Sequence, residues 1–192
     1  MSDDEKKVLK GFFLLTSKPT LFACNVKEEE LGVLTKGERA GKTGEQVKKV
    51  EEYCRTHLAS QSVIVSAQIE SELVDLPEAE GKEYLVGLGV QESGVGALIR
   101  AAYELLGLRT YLTTGPKETR AWTIHAGDRA PQAAGVIHTD FERGFIAAET
   151  VAYTDLQGAG TMAKVKEAGK LRVEGKEYVV QDGDVMDFRF NV

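Results

Sequence analysis

The sequence is sparing with the residues that announce several function classes. Two cysteines, Cys24 and Cys54, are too few for a disulfide framework. The three histidines, His57, His125 and His138, lack metal-ligand spacing. Nothing in their placement fixes a triad with Cys24 or Cys54, because such triads are defined by geometry. No apolar run approaches eighteen residues, so no membrane span is expected. No apolar signal core with a small-residue cleavage site follows the charged start Met1–Lys7, and a cytoplasmic location is expected. A basic surplus is missing too. The net charge is -6, so overall charge does not announce a nucleic-acid binder. The acidity is uneven: residues 1–105 carry 13 Lys/Arg against 18 Asp/Glu, and residues 106–192 carry 11 against 12. A local basic face therefore remains open in the second half. The phosphate-cradling pattern G-x-x-x-x-G-K-[ST] is also absent. Gly41-Lys42-Thr43 supplies its end, but position 36 is Lys36, the nearest glycine is Gly37, and no strand leads into it.

What is present is an ordinary globular composition. With 192 residues, 42% apolar and 28% charged, the chain can build one or two domains with a real core. Its most informative stretch is Thr20-Leu21-Phe22-Ala23-Cys24-Asn25-Val26-Lys27-Glu28. A short apolar run reads as a buried parallel strand. It ends in an amide, with a carboxylate three residues on. Ligands of open α/β sheets bind beyond the carboxyl ends of such strands, where Asn25 and Glu28 would meet a small molecule. The same residues also suit a helix cap and a solvated first-turn charge. Cys24 ends this strand and Cys54 falls on the apolar side of a helical pattern, so both read as buried thiols. Redox reactivity of Cys24 would need exposure and a lowered pKa.

Residues 3–13 look like the tail of a helix, broken at Ser17-Lys18-Pro19. Residues 32–44, with Gly32, Gly37, Gly41 and Gly44 among charges, predict a loop. Thr43 and Gln46 form a capping box, and Val47, Val50, Cys54 and Leu58 recur at helical spacing to about His57. Ser62-Val63-Ile64-Val65-Ser66-Ala67 is a second buried strand. Right-handed crossover makes the two strands parallel, with Ser66-Ala67-Gln68 on the same rim as Asn25. A helix over 78–88 ends at Gly89. Ser93 caps another with the stripe Val95, Leu98, Ile99, Ala102, Leu105 and Leu106, closed by Gly107. Two strands under these helices leave open edges, so this half reads as the last third of a larger α/β domain. From about residue 108 the pattern alternates. Leu108–Thr113 and Thr119–Ile124 flank a Gly115-Pro116 turn as a hairpin. Pro131 opens a short helix, Phe145–Val151 is a strand, and a helix near 161–168 ends at Gly169. Tyr178–Val180 and Val185–Phe190 flank an Asp182-Gly183 turn. The set predicts a small α+β domain.

The second half resembles the TGS domain of the Obg-like ATPase (YchF) family, in the TRAFAC class of P-loop NTPases. The likeness is carried by Arg120-Ala121-Trp122-Thr123-Ile124, Ala130-Pro131-Gln132-Ala133-Ala134-Gly135 and Ile137-His138-Thr139-Asp140-Phe141-Glu142-Arg143-Gly144-Phe145-Ile146. Lys166-Glu167-Ala168-Gly169-Lys170, Tyr178-Val179-Val180-Gln181-Asp182-Gly183-Asp184 and the terminal Phe188-Arg189-Phe190-Asn191-Val192 extend it. In the first half, Asn25-Val26-Lys27-Glu28 resembles the family's N-x-x-E motif. Ser66-Ala67-Gln68 stands where relatives have S-A-K, Gln68 departing from lysine. The resemblance implies the C-terminal part of an α/β P-loop NTPase domain over residues 1–105. It implies an α+β β-grasp (TGS) domain over residues 106–192.

The resemblance also implies ATP hydrolysis with Mg²⁺ in the complete family protein, and ribosome association. The Walker A loop, switch threonine and Walker B aspartate belong to an N-terminal NTPase segment expected upstream or supplied elsewhere. This chain is therefore expected to be inactive alone, with no catalytic or metal-ligating residue of its own. Related GTPases use N-K-x-D where this chain has Asn25–Glu28. Their aspartate accepts two hydrogen bonds from guanine, and adenine lacks those donors. Glu28, one methylene longer, disturbs that fit and agrees with ATP preference. The nucleotide-base residues so implied are Asn25, Val26, Glu28, Ser66 and Ala67. On the β-grasp surface Lys117, Arg120 and Arg143 are candidate RNA or ribosome contacts, near Trp122 and Phe145. Cations mixed with aromatics suit RNA, while strand alternation reads the two aromatics as core. The second functional reading is a stand-alone, non-enzymatic RNA- or ribosome-binding TGS module.

Overall fold

A computed structural model describes residues 2–58, 60–115 and 118–191. The chain divides into two compact units, Met1–Leu106 and Gly107–Val192.

In the first unit, β1 (Phe22–Asn25) and β2 (Ser62–Val65) form a two-stranded parallel sheet, with Cys24 opposite Ile64 and Asn25 opposite Val65. Helix α1 (Asp3–Lys10) precedes β1. Helices α2 (Glu28–Thr35) and α3 (Gly41–Tyr53) and a π-type turn, Cys54–Leu58, cross from one strand to the other. Helices α4 (Ala67–Val74), α5 (Glu78–Gly87) and α6 (Gly94–Leu105) follow β2. Leu31 and Leu34 of α2, Val47 of α3, Ile69 of α4 and Leu85 of α5 close on Val26 and Val90 as one core. Leu31 and Ile69 are fully enclosed, and truncating either to alanine removes about 2–5 kcal/mol.

Several expectations change here. Residues 32–44 are not one loop, because Gly32 lies inside α2 and Gly41 and Gly44 lie in the first turn of α3. Gly32 is there for packing: a Cβ on it would fall 2.1 Å from the Leu88 carbonyl oxygen. The Thr43/Gln46 capping box does not form, since α3 begins earlier, with Ala40 as its uncapped N-cap. Helix α4 goes unrecognised in the sequence. Ser93 does cap α6, accepting from the Gly96 N–H. The stripe on α6 is only partly buried, because Gly94 and Ala101 rather than the branched side chains face inward. A Cβ on Gly94 would lie 3.0 Å from the Val65 Cα. That close approach leaves Val95, Ile99 and Leu106 about half exposed.

The second unit is a five-stranded mixed sheet in the order β4-β3-β7-β5-β6. The hairpin of β3 (Leu108–Thr114) and β4 (Thr119–His125) is antiparallel, with Tyr111 opposite Trp122. Helices α7 (Ala130–Ile137) and α8 (Thr139–Arg143) lead to β5 (Phe145–Ala152), and α9 (Tyr153–Ala159) and α10 (Met162–Glu167) lead to β6 (Arg172–Glu174) and β7 (Asp184–Phe190). Strand β7 pairs parallel with β3 and antiparallel with β5. Ala130, Ala133 and Ala134 of α7 pack on Tyr111, Ile124, Phe145, Ala148 and Met186. Tyr111 donates its hydroxyl to the Ala133 carbonyl at 2.8 Å. Val165 of α10 packs on Val151 and Val185. Val185 and Met186 are consecutive in β7, so these clusters occupy opposite faces of the sheet. Buried Asp184 accepts from the Tyr178 hydroxyl (2.7 Å), the Gln181 N–H (2.9 Å) and Arg172 (3.3 Å). This network holds the loop before β7, where Tyr178–Val180 form no strand, only an isolated bridge of Val179 to Arg129. Helices α8 and α9 and the three-residue β6 are also absent from the sequence expectation.

Candidate functional site

Two parallel strands end on one rim, and the site is built there. Asn25 is the last residue of β1. Its Oδ1 accepts the backbone N–H of Ala67, the first residue of α4, at 3.0 Å. Asn25 therefore does not cap the helix that follows it. The N-cap of α2 is Lys27, with no side-chain bond. Asn25 instead joins the two strand ends, 42 residues apart, and its Nδ2 has no hydrogen-bond partner among the described residues. The Val26 N–H donates to the Val65 carbonyl at 2.9 Å and its side chain is buried. Ser66 is fully buried, and its carbonyl accepts from the Glu70 N–H. Its hydroxyl lacks a partner among the described residues. A buried polar group left unpaired costs about 1–3 kcal/mol, and the fold keeps this one at the rim.

Glu28 opens α2, where the helix dipole favours an acidic first turn. Its Oε1 lies 3.3 Å from the Tyr84 hydroxyl of α5. That hydroxyl is 2.6 Å from Glu72 Oε2 of α4, and the Gln68 Nε2 donates to Glu72 Oε1 at 3.2 Å. The hydrogen bond to Glu72, then lost solvation and the nearby Glu28 charge, pushes the Tyr84 phenol up to about 12. The same bond holds the Glu72 carboxyl below its ordinary value. Neither Tyr84 nor Glu72 is singled out by the sequence. Glu72 belongs to the unrecognised α4, and Tyr84 lies 56 residues from Glu28 with no local pattern linking them.

This corner offers a donor, Asn25 Nδ2, and an acceptor, the Glu28 carboxylate. Adenine presents an N7 acceptor beside an N6 amino donor, so the pair has the chemistry to read that edge. The peptide N–H groups of Val26 and Ala67 are already committed within the fold. Gly41-Lys42-Thr43 opens α3 after a helix, not a strand, so the phosphate-loop context is missing. Among the described residues no group of three or more His, Cys, Asp or Glu could hold a metal ion. Burial first, then Cys54 and Glu51, pushes the Cys24 thiol up, against Arg39, the opposite of a reactive cysteine's shift.

The β-grasp candidates separate. Lys117 lies outside the described residues. Arg120 stacks its guanidinium 4.3 Å from the Trp122 ring centroid, and the indole N–H donates to Thr113 Oγ1 at 2.9 Å. Phe145 is core. Arg120 thus covers one face of Trp122, which is partly buried, and Phe145 is enclosed. Arg143 is different: its side chain is 82% exposed and its ion pair with Asp140 is long, 3.9 Å.

Comparison with known proteins adds to this geometry. A family model described as YchF-GTPase_C, protein of unknown function (DUF933), matches residues 108–191. The whole chain is 53% identical over 192 residues to the ribosome-binding ATPase YchF of Bacillus subtilis (strain 168), covering 50% of that protein. It is 39% identical over 191 residues to Obg-like ATPase 1 of Gallus gallus, with 99% of this chain and 46% of that protein covered. The structure of the Schizosaccharomyces pombe YchF GTPase superposes with a TM-score of 0.78 at 33% identity, over 98% of this chain and 48% of that one. A GTP binding protein from Pyrococcus horikoshii OT3, at 17% identity and a TM-score of 0.61, over 100% of this chain and 51% of that one, shares the fold. The chain spans about half the length of the curated relatives it matches.

Proposed function

The chain belongs to the Obg-like ATPase (YchF) family as a C-terminal portion of it, and from that membership we propose that it supplies the base-reading corner and the TGS domain of a ribosome-associated, ATP-preferring NTPase. Residues 1–105 act as the C-terminal part of the NTPase domain and residues 106–192 as the TGS domain, in the cytoplasm. Asn25 and Glu28 read the base. Val26, Ser66 and Ala67 shape the rim around it. The observation that carries this reading is the Asn25–Ala67 bond at 3.0 Å, which brings the N-x-x-E motif and the Ser66-Ala67 loop into one corner and leaves Asn25 a free donor. Phosphate and Mg²⁺ chemistry belongs to the remaining half of the family protein. Exposed Phe13 and Leu15 and the half-exposed Val95 and Ile99 are apolar surface that such a segment would cover. The chain alone binds a nucleotide base without hydrolysing ATP.

Calorimetric titration of the chain and of Glu28→Ala with ATP tests this. Weak binding by the parent chain and none by the variant is expected, with no phosphate release by pure protein. Equal affinities, or hydrolysis that persists through purification, would overturn it. The second reading, a TGS module that binds RNA or the ribosome without nucleotide, is favoured by the separate core of the second unit and the open Arg143. Ribosome co-sedimentation by a chain that fails to bind ATP would select it.

A further inference from the structure

We propose that Tyr84 and Glu72 set which base the Glu28 corner accepts, with Tyr84 holding one Glu28 oxygen out of use. This rests on the base-reading role of Glu28 and adds the residues that decide its selectivity. A phenol has one proton. At 2.6 Å from Glu72 and 3.3 Å from Glu28, Tyr84 gives that proton to Glu72, since 2.5–2.7 Å is the charge-assisted range for a hydroxyl on a carboxylate. Gln68, from the same helix as Glu72, donates to the other Glu72 oxygen at 3.2 Å, so Glu72 is pinned from both sides. Glu28 Oε1 keeps the long 3.3 Å contact with the same hydroxyl, whose oxygen occupies one approach to Oε1 that a ligand donor would use. A ligand donor then reaches Glu28 through Oε2 alone.

The consequence is specific. Guanine's ring N–H and 2-amino group are two adjacent donors that need both oxygens of one carboxylate. Adenine's amino group needs one. A carboxylate with a single open oxygen therefore loses a hydrogen bond with guanine and none with adenine. The second negative charge, on Glu72, shares the Tyr84 hydroxyl with Glu28 and disfavours any base carbonyl brought to this place.

Two variants separate this positioning role from simple support of the fold. Tyr84→Phe frees Glu28 Oε1, so guanosine should gain relative to adenosine by about tenfold, the worth of one hydrogen bond to a charged group. Glu72→Gln removes the competing carboxylate, so the Tyr84 proton turns to Glu28 and holds Oε1 more firmly. The adenosine preference should then stay or rise. A merely structural role would weaken both nucleosides together in both variants. The measurement is the pair of dissociation constants for adenosine and guanosine, from amide chemical-shift titration of the parent chain and each variant. A lowered adenosine preference in Tyr84→Phe, with the preference kept or raised in Glu72→Gln, supports the inference, and a preference lowered in Glu72→Gln overturns it. An unchanged ratio in Tyr84→Phe, with the parent chain still preferring adenosine, overturns it and leaves the base-reading corner standing. Failure of the parent chain to bind either nucleoside overturns both.

Discussion

Replacing Asn25 separates two jobs that one side chain performs. Its Oδ1 accepts from the Ala67 N–H at 3.0 Å, while its Nδ2 is the donor assigned to the base. Asn25→Ala removes both. The bond is solvent-exposed, so the freed Ala67 N–H can hydrate, and the loss falls in the lower range for a neutral hydrogen bond or a cap, about 0.5–1 kcal/mol. Asn25→Asp keeps the acceptor. It also places a negative charge at the N-terminus of α4, a gain of about 0.3–1 kcal/mol, partly offset by repulsion from Glu28. Its net effect on the fold should stay within about 0.5 kcal/mol. Amide hydrogen exchange at Ala67 reads this locally. In Asn25→Ala the Ala67 amide should exchange about two- to fivefold faster, the factor set by about 0.5–1 kcal/mol. In Asn25→Asp protection should persist while adenosine binding is lost. If Asn25→Asp binds adenosine as the parent does, Nδ2 is not the base donor. If Asn25→Ala leaves Ala67 as protected as before, the tie between the strand ends carries no weight.

Further expectations concern other parts of the chain. Phe145→Ala should destabilise the second unit by about 3–5 kcal/mol in thermal unfolding, since Phe145 is 3% exposed in its core; a loss under about 1 kcal/mol would mean that the site collapses freely. Arg143→Ala should change stability by less than about 0.5 kcal/mol yet weaken ribosome co-sedimentation and flatten its salt dependence by about one charge. An unaltered salt slope would remove Arg143 as a contact. The Tyr84 phenol, pushed up to about 12, starts from an ordinary value near 10. The stability its bond to Glu72 contributes is thus fully present below about pH 10 and is lost as pH rises through about 12. Ultraviolet titration of phenolate should therefore show one late-ionising tyrosine fewer in Tyr84→Phe, and an unchanged count would contradict the bond.

Much of this was legible because local rules and tertiary packing agree. The apolar run into Asn25, the Ser93 cap, the β3–β4 hairpin and Pro131 at the start of α7 each follow from residue chemistry that the fold does not override. Glycine misled where it serves packing. Gly32 and Gly44 read as loop punctuation, yet their missing Cβ atoms let the Leu88 and Arg39 backbones approach inside helices. Tyr178–Val180 has strand composition, but the Asp184 network takes the hydroxyl of Tyr178 and the N–H of Gln181 and holds the segment as a loop. Of the candidate site, the motif residues were readable and their supports were not. Tyr84 meets Glu28 and Glu72 only through the fold of three helices, a relation with no sequence period. On the cation–aromatic surface, composition alone cannot tell an arginine stacked on a tryptophan from two groups offered to RNA.

The central claim is that the rim formed by Asn25, Glu28 and the Ser66-Ala67 loop receives an adenine base. Amide spectra of the isotopically labelled chain, titrated with adenosine, test it directly. Shifts of the Asn25 side-chain amide and of the Glu28, Ala67 and Gln68 backbone amides are expected, none across residues 107–192, with loss of those shifts in Glu28→Ala. Shifts confined to the β-grasp unit, or none at millimolar adenosine, would contradict it.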